Sequence, residues 1–122
     1  PPGSDAQTVV DGGADIADIA TLAVKGKTTV VDFSAAWCRP CRKIDEYMMT
    51  ALGARKELAY RRLDVADWDS PLARHYLKEV PQLPYVIVYG PKGEKVDTVV
   101  GVDLDRLDKA IAKAAPAPAP AP

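Results

Sequence analysis

Thr28-Thr29-Val30-Val31-Asp32-Phe33-Ser34-Ala35-Ala36-Trp37-Cys38-Arg39-Pro40-Cys41 is the stretch on which the fold of this chain turns. Its first half, Thr28 to Phe33, is β-branched and nearly continuous in apolar character, which predicts a strand buried on both faces. That strand runs into two cysteines separated by two residues. Beyond them Cys41, Ile44, Met48 and Leu52 recur at helical spacing, so the cysteine pair sits at a helix N-terminus. Pro40 fits there, because the first helical turn does not need its N–H.

Outward from this core the pattern alternates. Residues 1–13 are polar and Gly-rich, a flexible lead-in with at most a short strand near Thr8-Val9-Val10. Ile16, Ile19, Ala20 and Ala23 predict a helix that Gly26 stops. Leu58 to Val65 reads as a second strand. Ser70 or Asp69 caps a short helix carrying Leu72, Ala73, Tyr76, Leu77 and Val80. Tyr85-Val86-Ile87-Val88-Tyr89 is the clearest strand; Gly90-Pro91-Lys92-Gly93 turns it into another, Lys95 to Val100. Leu104, Leu107, Ile111 and Ala114 stripe a last helix. The domain then spans residues 14–115, and residues 116–122 form an Ala/Pro-rich disordered tail. Alternating helices and strands ending in a hairpin imply an α/β fold: a central mixed β-sheet flanked by helices on both faces.

At 122 residues, 48% apolar and 27% charged, the chain suits one globular domain. A formal net charge of -1 supplies no field for nucleic acid. No apolar run reaches the roughly 18 residues that span a bilayer, so no direct membrane insertion is expected. The chain opens Pro1-Pro2-Gly3-Ser4 without an initiator Met and reads as a processed piece, from which a leader or anchor would already be gone.

Cys38 and Cys41 are the only cysteines, so they act as a local pair. A thiolate is the nucleophile in disulfide exchange, and a helix N-terminus stabilises negative charge through its free N–H groups and dipole. Cys38 is then the more exposed and reactive sulfur, and Cys41, one turn inside, can attack a mixed disulfide formed at Cys38. Arg39 adds a positive charge beside it. A zinc site competes as a reading, but it needs four ligands and only His75 is left to add. A static disulfide also competes, yet so short a loop removes little unfolded-state entropy. Asp32 lies inside an apolar run, where burial raises a carboxyl pKa and suits it to accept a proton near neutrality. It could deprotonate Cys41, or merely pair with an Arg or Lys; a guanidinium of Arg61 or Arg62 is a candidate partner. Pro84 stands directly before a strand, where its bond to Leu83 is either cis or trans.

Val31-Asp32-Phe33-Ser34-Ala35-Ala36-Trp37-Cys38-Arg39-Pro40-Cys41 resembles the active-site strand and loop of thioredoxins. Val80-Pro81-Gln82-Leu83-Pro84-Tyr85 resembles that family's cis-proline segment, Gly93 its hairpin glycine, and Val100-Gly101 the strand end before its last helix. The resemblance implies a thioredoxin fold and a thiol–disulfide oxidoreductase that reduces protein disulfides or relays electrons. It implies catalytic roles for Cys38, Cys41 and Asp32. It places Trp37, Arg39, Pro40, Leu83 and Pro84 around the substrate, with the Leu83 backbone pairing with an extended client. The implied partners are protein thiols and disulfides and a redox donor or acceptor protein, acting on a monomer. The redox-active Cys38–Cys41 disulfide stands in place of any cofactor or metal. Arg39 for the usual Gly, Ser34 for a common Trp, and Glu46 where a proline is usual resemble exported thioredoxin-like domains. The expected setting is a bacterial periplasm or a membrane-tethered exported site, with the cytoplasm as the alternative. A non-catalytic binding module with vestigial cysteines, or a redox-sensing one, is the competing function.

Overall fold

The computed structural model describes residues 4–116. Five strands and three α-helices follow the chain as β1 (Asp5–Val10), β2 (Thr28–Ser34), α1 (Arg39–Ala54), β3 (Leu58–Asp64), α2 (Pro71–Tyr76), β4 (Tyr85–Tyr89), β5 (Lys95–Val100) and α3 (Leu104–Lys113). The sheet order is β1-β3-β2-β4-β5. β1 and β2 run parallel to β3, while β4 is antiparallel to both β2 and β5, so the sheet is mixed.

The alternation along the central strands decides which helix covers which face. Val30, Tyr60, Val86, Val88 and Val99 pack with Ile44, Met48, Leu107 and Ile111, so α1 and α3 cover one face. Val31, Phe33, Leu63 and Ile87 pack with Leu72 and Ala73 of α2 and with Ile19 on the other. Burying each such large side chain contributes about 1.5–3 kcal/mol. The helix starts follow their caps. Ser70 Oγ accepts from Ala73 N at 3.1 Å, and Asp103 caps α3 through Arg106 N at 3.0 Å.

Three expectations need correction. The lead-in is not loose from Asp5 onward: residues 5–10 form the edge strand β1. Half of its residues are polar and half are exposed, so no apolar alternation marks it. Polar side chains hold it instead. Arg61 Nη1 donates to Asp5 Oδ1 at 2.8 Å, Lys27 Nζ to Asp5 Oδ2 at 3.1 Å, and Arg62 Nη2 to Thr8 Oγ1 at 2.8 Å. The Arg61 hydrogen bond holds the Asp5 carboxyl below its usual range. Second, the helix expected over Ile16 to Ala23 is a single 3-10 turn, Ile19–Leu22, started by Asp18, whose side chain accepts from Ala20 N. The residues before it are tied across the fold: Asp15 meets His75 at 2.9 Å, and the Ile16 carbonyl accepts from Tyr76. Third, α2 ends at Tyr76, and Val80 lies beyond it. The tail expected over 116–122 lies, after Pro116, outside the described residues.

Gly13 locks the site's neighbouring loops together. Its N–H donates to the Asp64 carbonyl and its carbonyl accepts from Leu72 N, both at 3.0 Å. It has φ +76°, and a Cβ there would stand 2.3 Å from Ser70 Cβ and 2.6 Å from the Val65 carbonyl. Gly53 sits in α1 with open space around it. Gly13→Ala is therefore expected to cost about 2–4 kcal/mol through backbone strain and overpacking. Gly53→Ala is expected to gain about 0.5–1 kcal/mol from helix propensity. Urea unfolding of the two variants checks both signs.

Candidate functional site

The dithiol stands where β2 hands over to α1. β2 ends at Ser34, the chain turns with Cys38 N donating to the Ala35 carbonyl at 3.0 Å, and α1 starts at Arg39. Cys38 is the N-cap, extended at φ -92° and ψ 102°, with Pro40 in the first turn. Cys41 N donates to Cys38 Sγ at 3.3 Å, so the sulfur takes the place that a Ser or Asp oxygen holds in an ordinary cap. The two cysteines form a disulfide with Cα atoms 5.3 Å apart. In this oxidised form exposure does not single out Cys38, since Cys38 is 4% and Cys41 2% exposed. What separates the two sulfurs is their place on the helix.

Around the pair the structure gathers residues from four segments. The antiparallel register puts Phe33 opposite Tyr85. The residues just before β4 therefore face those leading from β2 to the cysteines. There the Leu83–Pro84 bond is cis, and Leu83 shares one apolar cluster with Cys38 and Cys41. The Pro84 carbonyl accepts from Gly101 N at 2.8 Å, which ties this segment to the end of β5. Trp37 is 55% exposed beside the pair. Its Nε1 donates to the Ala66 carbonyl at 2.6 Å, and Ala66 holds a left-handed φ of 62° while its N–H donates to Asp64 Oδ1 at 2.9 Å. The indole is thus a fixed apolar surface. Arg39 and Pro40 are exposed on the rim.

Asp32 lies fully buried under this surface. It shares the Val30 face of β2, which α1 covers, and sits one pleat nearer the end of the strand where α1 begins. Neither arginine bonds to it, contrary to the pairing considered from sequence. Arg61 turns to Asp5, and Arg62 ion-pairs with Asp45. The partner is Tyr60, whose hydroxyl donates to Asp32 Oδ2 at 2.7 Å and also lies 3.1 Å from Asp45 Oδ1. Asp32 Oδ1 has no hydrogen-bond partner among the described residues. Burial pushes the Asp32 pKa up to about 7; the Tyr60 hydrogen bond opposes that shift, the Asp45 charge adds to it, and the Arg62 charge opposes it weakly. Burial raises the Tyr60 hydroxyl as well, and the Asp32 charge and hydrogen bond raise it further.

Sequence reasoning missed Tyr60 and Asp45. The signal was available: with β2 and β3 parallel, Tyr60 falls on the Asp32 face, and Asp45 is one helical turn beyond Cys41. Among the described residues, no group of three or more His, Cys, Asp or Glu could hold a metal. Nor is any helix there long and apolar enough to cross a membrane.

The thioredoxin family model matches residues 18–113. Thioredoxin H2-1 of rice is 36% identical over 86 residues, covering 70% of this chain and 59% of the rice protein. An H-type thioredoxin of Fagopyrum esculentum is 33% identical over 91 residues, covering 75% of each chain. The crystal structure of thioredoxin NaTrxh from Nicotiana alata superimposes with a TM-score of 0.60 at 30% identity, covering 74% of this chain and 75% of that one.

The Asp32 geometry sets a stability expectation. A carboxyl whose pKa rises on folding contributes stability that is complete below its unfolded value, near 4, and is lost as pH rises through about 7. Asp32→Asn cannot ionise. Relative to the wild type it is expected to gain little at pH 4 and about 2–4 kcal/mol at pH 8. Urea unfolding across that range tests this; a gain that did not change with pH would contradict the raised carboxyl.

Proposed function

The chain belongs to the thioredoxin family, and from that premise we propose that it is a thiol–disulfide oxidoreductase whose reduced Cys38–Cys41 pair passes two electrons to protein disulfides. The observation that carries this reading is the disulfide itself, placed with one sulfur as the N-cap of α1 and beside the Leu83–Pro84 segment. In the reduced protein the Cys38 thiolate attacks a client disulfide, expelling one client thiol and forming a mixed disulfide. Cys41 then attacks Cys38 Sγ. The intramolecular disulfide closes and the second client thiol leaves.

The helix N-terminus favours the Cys38 thiolate by about 0.3–1 kcal/mol, up to about 2 in partly buried geometry. Asp32, dry and poised near neutrality, accepts the Cys41 proton. Trp37 and the exposed Arg39 and Pro40 form the landing surface, and the Leu83 backbone offers an extended client a short β-type contact beside Pro84. A partner reductase or oxidant protein resets the pair. Residues 5–115, β1 included, work as the redox unit and act as a monomer. The exported or periplasmic setting rests on Ser34, Arg39 and Glu46 alone. The matched thioredoxins lend it no support, and the cytoplasm stands beside it as the alternative.

Cys41→Ser is expected to accumulate a mixed disulfide through Cys38, visible as a higher-mass species on non-reducing gels. Cys38→Ser is expected to trap nothing and to lose disulfide reductase activity. A Cys41→Ser variant that trapped no client would replace this reading with the non-catalytic one. Equilibration with dithiothreitol buffers is expected to give a potential near about -270 mV for a reductant; a value near about -120 mV would reverse the direction of flow.

A further inference from the structure

Resolution of the mixed disulfide leaves a proton on Asp32, and Asp32 is fully buried. Bulk water does not reach a carboxyl packed beneath α1, so the proton needs a route out through protein groups. The groups around Asp32 that carry charge or a titratable proton are Tyr60 and Arg62 from β3 and Asp45 from α1, with Cys41 one helical turn before Asp45 on α1. The neighbours on β4, Val86 and Val88, are apolar.

We propose that Tyr60 and Asp45 form a proton relay that carries the Cys41 proton from buried Asp32 to solvent. The inference rests on Asp32 being the proton acceptor of the exchange reaction. The geometry supports it at each step. The Tyr60 oxygen lies 2.7 Å from Asp32 Oδ2 and 3.1 Å from Asp45 Oδ1. A hydroxyl has one proton and can also accept. When that proton points to Asp45, the same oxygen can accept from protonated Asp32. Asp45 is the exit: its side chain is 35% exposed. It also lines an open groove of about 340 Å³ together with Cys41, Arg42 and Ser34. Arg62 holds its carboxylate at the mouth.

The step balances as follows. Cys41 gives its proton to Asp32, and the Cys41 thiolate displaces the client thiolate from Cys38, which takes a proton from water. Asp32 then gives its proton to the Tyr60 oxygen as the Tyr60 hydroxyl proton moves to Asp45, and Asp45 releases it to water. Asp32 ends ionised and Tyr60 ends neutral. Burial and the Asp32 charge disfavour a phenolate at Tyr60, so the relay is written with the two hops together. Reduction of the Cys38–Cys41 disulfide runs the same path inward.

The test is single-turnover. Reduced protein is mixed with the aromatic disulfide 5,5′-dithiobis(2-nitrobenzoate), which releases coloured thiol in two phases: Cys38 attack, then Cys41 attack. The second phase, and the proton released with it to a pH-indicator dye in weak buffer, are followed against pH in the wild type, Asp32→Asn, Tyr60→Phe and Asp45→Asn, with thermal unfolding as the check on folding. The relay predicts that Asp32→Asn lowers the high-pH plateau of the second phase by about tenfold or more while sparing the first, and that Tyr60→Phe and Asp45→Asn keep the second phase but delay the proton signal behind it by about tenfold or more. Asp45 lies at the surface, so its variant keeps the test open if Tyr60→Phe does not fold. If Asp32→Asn slows the second phase but the proton signal of Tyr60→Phe and Asp45→Asn keeps pace with that phase as in the wild type, the relay is wrong. If Asp32→Asn itself leaves the second phase unchanged, the proton-acceptor reading of Asp32 fails and the relay falls with it.

Discussion

Everything at the dithiol depends on how α1 begins. A helix start leaves N–H groups that need acceptors. Here a cysteine sulfur supplies one, as Cys41 N donates to Cys38 Sγ at 3.3 Å. Pro40 reduces the number of orphan donors and sets its own φ for the first turn. The same feature that ends β2 and starts α1 therefore places two sulfurs at the positive end of a sixteen-residue helix. Covering that helix from the sheet side are Val30, Tyr60 and Val86, while Leu83 joins the cysteines from the other cluster. The site is the seam between the two apolar halves of the protein, where the rigid parts of both meet.

Below that seam a polar thread runs on the α1 side of the sheet: Asp32, Tyr60, Asp45 and Arg62 in sequence of contact. A buried carboxyl is tolerated only with a partner or a proton. The thread supplies a single neutral hydroxyl as partner, and the carboxyl accordingly moves up to about 7, leaving the fold with less stability at alkaline pH than an apolar replacement would give. That is the balance expected of a group kept for the proton transfer proposed for Asp32.

The sequence reading went furthest where the chemistry and the periodicity coincide. Val31 and Phe33 pointed to a buried strand, and Cys41, Ile44, Met48 and Leu52 to the inner stripe of α1; the structure buries all of them. It went wrong where side-chain polarity, not apolar spacing, holds an element. β1 is held at the sheet edge by Asp5 and Thr8 reaching arginines of β3, a pairing with no local signature. The segment around Ile16 has helical spacing, but its polar groups bond to α2, and only one turn of 3-10 helix survives. At the site the two cysteines, Trp37 and the Leu83–Pro84 bond were visible as a motif. The environment of Asp32 was not, because it is set by register across β2 and β3 and by one turn of α1, which only the assembled sheet defines.

That register explains why the arginines beside Asp32 in the ladder do not neutralise it. Arg62 is the residue paired with Asp32 across the parallel strands, and on the same face. Its long side chain reaches past the buried carboxyl to Asp45 and Thr8 at the surface, where the guanidinium stays partly hydrated. Tyr60, one pleat inward, is rigid and fills the space beneath with its ring. A guanidinium or ammonium in the hydroxyl's place would donate only, and would hold Asp32 ionised and low. A hydroxyl both donates and accepts, and carries no charge. It satisfies one carboxyl oxygen while leaving the group free to take up and release a proton near neutral pH, the property that the proposed proton transfer from Cys41 calls for.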